Sequence, residues 1–373
     1  MARRKSKRAD AEAKKPKKKP KKKPQKKPAK KAESEEVDVE LEDPDISELL
    51  ASSADMVVST CMQMRSWENV LVITDPATAD IGQALYEASS RISDRVLMVM
   101  MPSTSQHGDE PPAPVAELMR RQHIVLAPTR YSLTHTRATH TAARKEGARI
   151  ATMPGITLDI FTKGGMTADF AEVKRDITKV GGLLRKKRNV RVTSEAGTDV
   201  EFRVEPRKWK LEDNGILSRP TQVSNLPAGK VFIMPREGRM NGRIVIDGSW
   251  DSTLLDEPLV LHVEDGKITH IEGSDIADEV REQYEAAAER LGPKEQELLW
   301  TVAEFGFGMN PNARLIGNVL EDEKVRGTCY FAIGDNTNLG GSASVGIHVT
   351  GVLRNPKVMI DDFCVLHKGD LVV

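Results

Sequence analysis

The sequence predicts a two-part α/β protein, in which a doubly wound, mostly parallel α/β domain is followed by a mixed α+β domain. Short apolar runs alternate with amphipathic stretches up to about residue 181, and glycine-containing turns separate strands after residue 182. A lysine-rich segment that cannot form a core comes first. We therefore assign residues 1–45 to a disordered Lys/Pro-rich and acidic tail, residues 46–181 to the α/β domain and residues 182–373 to the α+β domain.

Four apolar runs of strand length define the first domain. They are Asn69–Thr74, Val96–Met101, Ile124–Thr129 and Arg149–Thr152, with helical patterns over Ile81–Ser93 and up to Glu146–Gly147. Continuous apolar strands separated by helices predict a parallel sheet that is covered on both faces. No glycine-rich phosphate-binding motif follows any of these strands, which argues against a nucleotide-binding domain.

The second domain shows antiparallel hairpins joined to helices. Paired strands are predicted at Asn189–Thr193 with Thr198–Val204, at Leu259–Val263 with Lys267–Ile271, and at Lys357–Ile360 with Phe363–Leu366. Two helices are predicted, from Ile276 to Leu291 and from Lys294 to Ala303.

Charge is divided unevenly along the chain, although the formal net charge is zero. Residues 1–32 hold 17 Lys or Arg against Asp10 and Glu12, and the rest of the chain holds 38 basic against 53 acidic residues. The run KKPKKKPKKKPQKKPAKK excludes a helix, because proline removes backbone donors and like charges repel. We expect residues 3–31 to bind nucleic acid non-specifically through its phosphates, with a purely solubilising arm as the alternative.

The three cysteines are Cys61, Cys329 and Cys364. Their odd number and wide spacing argue against a disulfide framework or a zinc motif, so we expect buried, reduced thiols in a cytoplasmic protein. No apolar run approaches the roughly 18 residues of a membrane span, and no apolar segment follows the basic N-terminus. We therefore expect neither a membrane partner nor a secretory signal.

The densest concentration of Gly, Asn and Asp lies between Glu304 and Gly351. Such a run is expected to form binding loops rather than ordinary core, because glycine permits tight turns and exposes the backbone. Surface loops with turn chemistry are the alternative. The histidines His123, His135 and His140 show no ligand spacing and are assigned structural roles, and His262 and His270 are expected at the surface of facing hairpin strands.

Several ordered motifs resemble the thermophilic metallo-aminopeptidases, a family that includes many leucyl aminopeptidases. The first is NLPAG at 225–229 with PREG at 235–238, and the second joins Ala303–Glu304 to Gly306, Gly308 and Asn310. The third is GNVLEDEK at 317–324 with GDN at 334–336 and Ile347–His348. The match spans roughly residues 190–373.

This resemblance implies a homodimer with two divalent metals in an interdomain cleft. The metals, held by glutamates, histidines and an aspartate, would activate water to attack the N-terminal bond of a peptide or another small-molecule substrate. Glu304 and His348 match family ligands, and Glu304 is the candidate catalytic residue. Thr350, Tyr330 and Lys230 replace a ligand aspartate, histidine and glutamate, and Thr337 stands in place of the catalytic tyrosine.

Glu304 and His348 alone predict a partly depleted site, because a catalytic zinc takes about three protein ligands. The cofactor expected is zinc, cobalt or manganese, with one ion or none rather than two. Lys230, Glu237, Tyr330 and Asp335 are further candidates for the cleft, together with Glu321.

The leading hypothesis is thus a divergent metal-dependent aminopeptidase that hydrolyses N-terminal peptide bonds. Altered one-metal or metal-free chemistry in the same cleft is one alternative. A non-catalytic ligand-binding protein with a nucleic-acid-binding tail is another. The iron-dependent dihydroxypyridine dioxygenases share this fold and use an overlapping His/His/Asp site, but the replacements at Tyr330 and Thr350 count against iron.

Overall fold

The computed structural model describes residues 45–372, in which helices and strands alternate at first and strands dominate later. The helices are α1 (Ile46–Met56), α2 (Ala79–Ser90), α3 (Ala113–Met119), α4 (Arg137–Arg144), α5 (Leu158–Lys163), α6 (Phe170–Leu184), α7 (Asp275–Ala288), α8 (Pro293–Gln296) and α9 (Val319–Asp322). The strands are β1 (Val70–Thr74), β2 (Val96–Met100), β3 (Ile124–Thr129), β4 (Arg149–Pro154), β5 (Asn189–Thr193), β6 (Asp199–Val204), β7 (Val223–Asn225), β8 (Lys230–Ile233), β9 (Pro235–Ile246), β10 (Ser249–Trp250), β11 (Thr253–Leu254), β12 (Leu259–Glu264), β13 (Lys267–Glu272), β14 (Val302–Gly308), β15 (Cys329–Gly334), β16 (His348–Leu353), β17 (Lys357–Ile360), β18 (Phe363–His367) and β19 (Asp370–Leu371).

The first sheet is parallel and has the strand order β2-β1-β3-β4-β7. Every residue of β1 and β3 is buried, because helices cover both faces. Val70 and Val72 pack into one hydrophobic cluster with Leu85 of α2, whereas Leu71 and Ile73 pack into a second cluster that includes residues of α3 and α4. The predicted doubly wound, mostly parallel sheet is confirmed.

Two antiparallel sheets follow, which confirms the predicted mixed α+β character of the later part. The six-stranded sheet has the order β11-β10-β16-β15-β14-β8, and the eight-stranded sheet has the order β13-β12-β9-β6-β5-β17-β18-β19. The hairpin of β12 and β13 turns at Asp265 and Gly266, which both have positive φ angles. Such a pair is typical of a two-residue hairpin turn, because its twist matches that of the strands.

Aromatic side chains join the two antiparallel sheets. Phe202 of β6 lies 5.0 Å from Phe305 of β14, and Phe305 lies 5.1 Å from Phe331 of β15, measured between ring centroids. All three rings belong to the large hydrophobic core. One face of the six-stranded sheet therefore packs in this core, and its opposite face is left for polar side chains.

Two sequence-based expectations are wrong in this region. The helix predicted from Lys294 to Ala303 ends at Gln296, and Val302 begins β14, because pairing with β8 and β15 outweighs local helix propensity. The glycine-rich stretch is not made only of loops. All of β14 and β15 and most of β16 are buried strands, in which glycines let large neighbouring side chains approach.

The predicted tail lies outside the described residues, apart from Asp45, whose side chain caps α1. The described residues form one compact unit. The predicted boundary between residues 181 and 182 stays a prediction, and β7, which follows it in sequence, pairs with β4 of the parallel sheet.

Cys61 and Cys329 are buried, Cys364 is half-buried, and all three carry free thiols. The cytoplasmic location inferred from them stays a prediction.

Between residues 45 and 372, no helix combines the length and the apolar character that crossing a bilayer requires.

Candidate active site

Three neighbouring strands of the six-stranded sheet bring Lys230, Glu304 and Tyr330 together. In β14, Gly306 pairs with Tyr330 of β15, and Gly308 pairs with Lys230 of β8. Residues two apart in a strand face the same side, so Glu304 projects from the same face as these two partners. That face is opposite the aromatic core.

A β-bulge at the start of β14 sets the direction of Glu304. Val302 pairs with Ile333 and Glu304 pairs with Ala332, so Ala303 is an extra residue on this strand. With strict alternation Val302 and Glu304 would face the same side. The bulge instead lets Val302 pack in the hydrophobic core while Glu304 faces the site.

Gly306 makes room for the Tyr330 ring. A Cβ atom at Gly306 would lie 2.4 Å from both Cζ and Oη of Tyr330. A side chain here would therefore displace the phenol, so this glycine is required by a close approach.

The three side chains form a buried ionic network with two more residues. Glu304 Oε1 accepts a hydrogen bond of 2.5 Å from the Tyr330 hydroxyl and lies 3.5 Å from Lys230 Nζ. Lys230 Nζ donates to Glu323 Oε2 at 2.9 Å, and Lys324 donates to the other oxygen of Glu323. We call these five residues, Lys230, Glu304, Glu323, Lys324 and Tyr330, the lysine–glutamate cluster.

The carboxyl group of Asp213 is buried beside this cluster. It accepts a hydrogen bond from Ser224, and the backbone carbonyl of Asp213 accepts from the N–H groups of Gly229 and Lys230. Burial raises the pKa of Asp213 to about 6, against the opposing effect of the lysines. The group therefore titrates close to neutral pH.

Charge balance fixes the protonation of the cluster. Burial disfavours the charged form of Lys230, but the Glu323 and Glu304 carboxylates outweigh burial and raise the pKa of Lys230. Burial likewise opposes ionisation of Glu323, but the two lysines outweigh it and lower the pKa of Glu323 to about 2. Burial, reinforced by the carboxylates, raises the pKa of Tyr330 well above its usual value, so its phenol stays protonated and donates.

A loop at the carboxyl end of the parallel sheet faces the cluster. Thr134 in this loop lies 2.8 Å from the hydroxyl of Thr152 in β4 and donates to Asn225 of β7 at 3.0 Å. These contacts hold the next residue, His135, over the ends of the strands. Ligands of open α/β sheets bind at this end.

Three histidines lie around the cluster. Burial lowers the pKa of His135, and the charges of His140, His348 and Lys230 lower it further, whereas Glu304 acts in the opposite sense. The side chain of His135 is nevertheless exposed at the surface. Its ring centroid lies 6.5 Å from that of His140.

His348 is exposed at the start of β16. Its Nδ1 atom lies 2.8 Å from the backbone carbonyl oxygen of Asp335. Because a carbonyl oxygen can only accept, the proton belongs on Nδ1, which leaves the Nε2 lone pair for a ligand.

The other predicted site residues hold loops. Glu237 accepts from the Asn336 amide at 3.0 Å and from the backbone N–H of Ser342 at 2.8 Å. Asp335 accepts three backbone N–H groups within the loop that it begins, and Glu321 accepts two. These bonds shape the surroundings of the cleft and do not involve the lysine–glutamate cluster.

Sequence reasoning missed Asp213, Glu323 and Lys324, and it gave His135 and His140 structural roles. Glu323 and Lys324 stood within a motif that the sequence did reveal, and two adjacent opposite charges beside apolar residues were the available signal. No sequence pattern around Asp213 predicted its place in the site, because that place depends on burial next to residues far along the chain.

The resemblance implies a divalent metal in this cleft, and the donor set decides whether one fits. Glu304 is already bonded to Tyr330 and faces the Lys230 ammonium. Within residues 45–372 no three His, Cys, Asp or Glu side chains come together as metal ligands. The cluster does not fit a divalent metal, and the expected zinc, cobalt or manganese finds no ligand set in the described part of the chain.

Comparisons with known proteins identify the family. A sequence model of the 2,5-dihydroxypyridine 5,6-dioxygenase family matches residues 49–373. A 2,5-dihydroxypyridine 5,6-dioxygenase of Pseudomonas putida KT2440 is 27% identical over 216 residues, which cover 53% of this chain and 58% of that protein. The aligned part thus spans less than two thirds of that relative.

Two solved structures show the same fold. The 2,5-dihydroxypyridine dioxygenase of Pseudomonas putida KT2440 superposes with a TM-score of 0.74 and 19% identity, covering 88% of this chain and 98% of that one. AmpT of Thermus thermophilus gives a TM-score of 0.63 and 13% identity, covering 88% of this chain and 100% of that one. At these identities the likeness concerns the fold alone.

These matches correct the functional hypothesis. Membership in the thermophilic metallo-aminopeptidases was wrong, and so were the hydrolase, metalloprotease-like and proteolysis assignments, because the family model and the curated relative are both dioxygenases. The non-catalytic binding alternative is not favoured by a match to an enzyme family. The motifs misled because they build a fold that both groups share: Asn318 and Asp322 of the third motif, for example, bind backbone N–H groups. This chain belongs to the 2,5-dihydroxypyridine 5,6-dioxygenase family.

Proposed function

We propose that this chain is an oxygenase that acts on a small hydroxylated aromatic ring of the dihydroxypyridine class, bound over the lysine–glutamate cluster. The family match over residues 49–373 supports the reaction type. The side chains on one face of the sheet support a small, planar and anionic substrate, because a cation, aromatic rings and a carboxylate lie together there.

The observation that carries the proposal is the position of the Lys230 ammonium. It lies 4.6 Å from the centroid of the Phe232 ring and 5.1 Å from that of Tyr330. Two of its three donors face Glu323 and Glu304, so the third is left for a ligand oxygen. Its side chain keeps 14% exposure, which lets a ligand reach it.

Glu304 is the proton acceptor in this proposal. An aromatic hydroxyl beside Lys230 loses its proton to Glu304, and the resulting ring oxyanion is stabilised by the ammonium. Tyr330 donates to the same carboxylate and holds its orientation. Loss of the proton makes the ring electron-rich, which favours its oxidation.

The overall reaction balances without an external reductant. A dioxygenase places both atoms of one O₂ molecule in its product, so one substrate and one O₂ are consumed as a ring bond breaks. In this proposal His135 and His348, which lie near each other, bind a second polar group of the ring. No step in this proposal passes through a metal.

The test is turnover of 2,5-dihydroxypyridine by the full chain, followed both by loss of the ring absorbance and by oxygen uptake. We expect equal consumption of substrate and O₂, and a rate loss of at least about 10²-fold in Glu304→Gln. His262→Ala, on a remote surface hairpin, is the matched control and should keep the wild-type rate. Absence of both binding and turnover, with iron, zinc, cobalt or manganese added, would rule out this substrate class.

A further inference from the structure

We propose that Lys230 replaces a metal ion in this site, so that the enzyme binds its anionic ring through an internal ammonium and without a divalent cation. The inference rests on the proposed function for the identity of the substrate. The claim that no metal is required comes from the geometry of the lysine–glutamate cluster.

Charge complementarity is already complete within the cluster. Two ammonium groups, on Lys230 and Lys324, face two carboxylates, on Glu304 and Glu323. A divalent cation added here would find at most the single carboxyl group of Asp213 as a further compensating charge, and the two lysines would repel it. Buried charges are stable only when they are paired, so the cluster as it stands disfavours an additional cation.

The hydrogen bonds within the cluster also disfavour an additional cation. Glu304 Oε1 takes the Tyr330 hydroxyl and faces Lys230, while both oxygens of Glu323 accept from lysines. A metal would have to displace these donors from the carboxylates. The buried phenol of Tyr330 also stays protonated, and a neutral phenol is a poor ligand compared with a carboxylate or an imidazole.

An ammonium can perform one part of a metal's role. It holds an anionic oxygen and stabilises the charge that develops when a hydroxyl ionises. Glu323, buried beneath it, keeps Lys230 charged and fixes its position through the 2.9 Å hydrogen bond. Lys230 is therefore a substrate-binding residue, and Glu323 and Lys324 are positioning residues.

The experiment is a metal analysis of the purified full chain combined with divalent-cation titrations by calorimetry. Manganese, cobalt, zinc and ferrous iron are the probes, the last under anaerobic conditions. The wild type should carry substoichiometric metal and bind each ion weakly. Lys230→Glu, which adds a carboxylate between Glu304 and Glu323, should bind at least one of them about tenfold or more tightly than the wild type. Lys186→Glu, at an exposed turn, is the matched control and should resemble the wild type.

Lys230→Met, which keeps most of the length of the side chain without its charge, is a second test in case Lys230→Glu does not fold. It should bind 2,5-dihydroxypyridine at least about tenfold more weakly, whereas chelator treatment of the wild type should change neither binding nor turnover. One tightly bound ion per wild-type chain, removed together with activity by chelation, would overturn the inference. If 2,5-dihydroxypyridine is neither bound nor turned over, the proposed function fails, while the metal titrations still decide the role of Lys230.

Discussion

The Tyr330 hydroxyl donates a 2.5 Å hydrogen bond to Glu304 Oε1, and the two residues come from adjacent antiparallel strands. A short bond between a neutral phenol and a carboxylate in a buried site orients the carboxylate strongly. The same oxygen lies 3.5 Å from Lys230 Nζ. Because the Tyr330 phenol stays protonated, it can hold the Glu304 carboxylate in this orientation.

Tyr330→Phe should slow turnover about tenfold to 10²-fold while changing KM little, because Glu304 stays in place but loses its orienting donor. Steady-state kinetics of ring consumption measure the effect. Tyr86→Phe, on α2 and away from the cleft, should behave as the wild type. An equal effect of both substitutions would show that the Tyr330 hydroxyl has no special role.

Gly306→Ala should be destabilising by about 1–3 kcal/mol, because its new methyl group would collide with the Tyr330 ring in a closely packed interior. Urea unfolding measures the free-energy change. Gly182→Ala provides the matched control: the Cβ position at Gly182 has no atom within 4 Å, and the residue is exposed in α6. The control should be neutral or stabilising by up to about 1 kcal/mol, since alanine favours helices. Similar losses in both variants would contradict the predicted collision.

Asp213 should make stability depend on pH in an identifiable direction. Burial raises its folded-state pKa from 3.8 to about 6, so the folded protein binds more protons than the unfolded chain between these values. Its contribution is therefore fully present below pH 3.8 and is lost as pH rises through 6, a change of about 2–3 kcal/mol.

Comparing Asp213→Asn with the wild type by urea unfolding at pH 4 and pH 7 isolates this effect. The stability of the variant relative to the wild type should increase at pH 7 by about that amount. Asp94→Asn, whose side chain is 93% exposed, should show no such pH-dependent difference. A wild-type-to-variant difference that is the same at both pH values would mean that Asp213 is not perturbed.

The basic segment at residues 3–31 is proposed to bind nucleic acid without sequence preference. If about six phosphates are contacted, affinity for an arbitrary duplex should fall about 10³-fold between 50 and 200 mM salt. Fluorescence anisotropy with full-length protein and with a variant lacking residues 1–44 measures this. Equal affinities of the two proteins would exclude the segment as the binding site.

The sequence revealed the elements whose pattern is local. The parallel strands stand out as apolar runs, and Lys230, Glu304 and Tyr330 were found because each lies within or beside an ordered motif. The strand Val302–Gly308 was missed at its beginning, because partners more than twenty residues away decide its conformation. Glu323 and Lys324 lie in one of these motifs and were still not assigned, because their role becomes clear only when Lys230, more than ninety residues earlier, meets them in space.

The family was misjudged for a related reason. Asn310 donates to the carbonyl oxygens of Gly165 and Ala228, so it ties the region after the parallel sheet to the entry of β8. Residues of this kind recur wherever the fold recurs, whatever the reaction. Motifs rich in Gly and Asn therefore predicted the architecture well and the chemistry poorly.

The extra residue at Ala303 has a practical consequence for anyone who recombines this chain with its relatives. A crossover or gap that removes one residue between Val302 and Glu304 would restore strict alternation along the strand. Either the carboxylate would then be driven among Phe305 and its aromatic neighbours, or Val302 would be turned out of the core. Chimaeric proteins should therefore be joined outside residues 302–304, since here the length of the segment matters more than its composition.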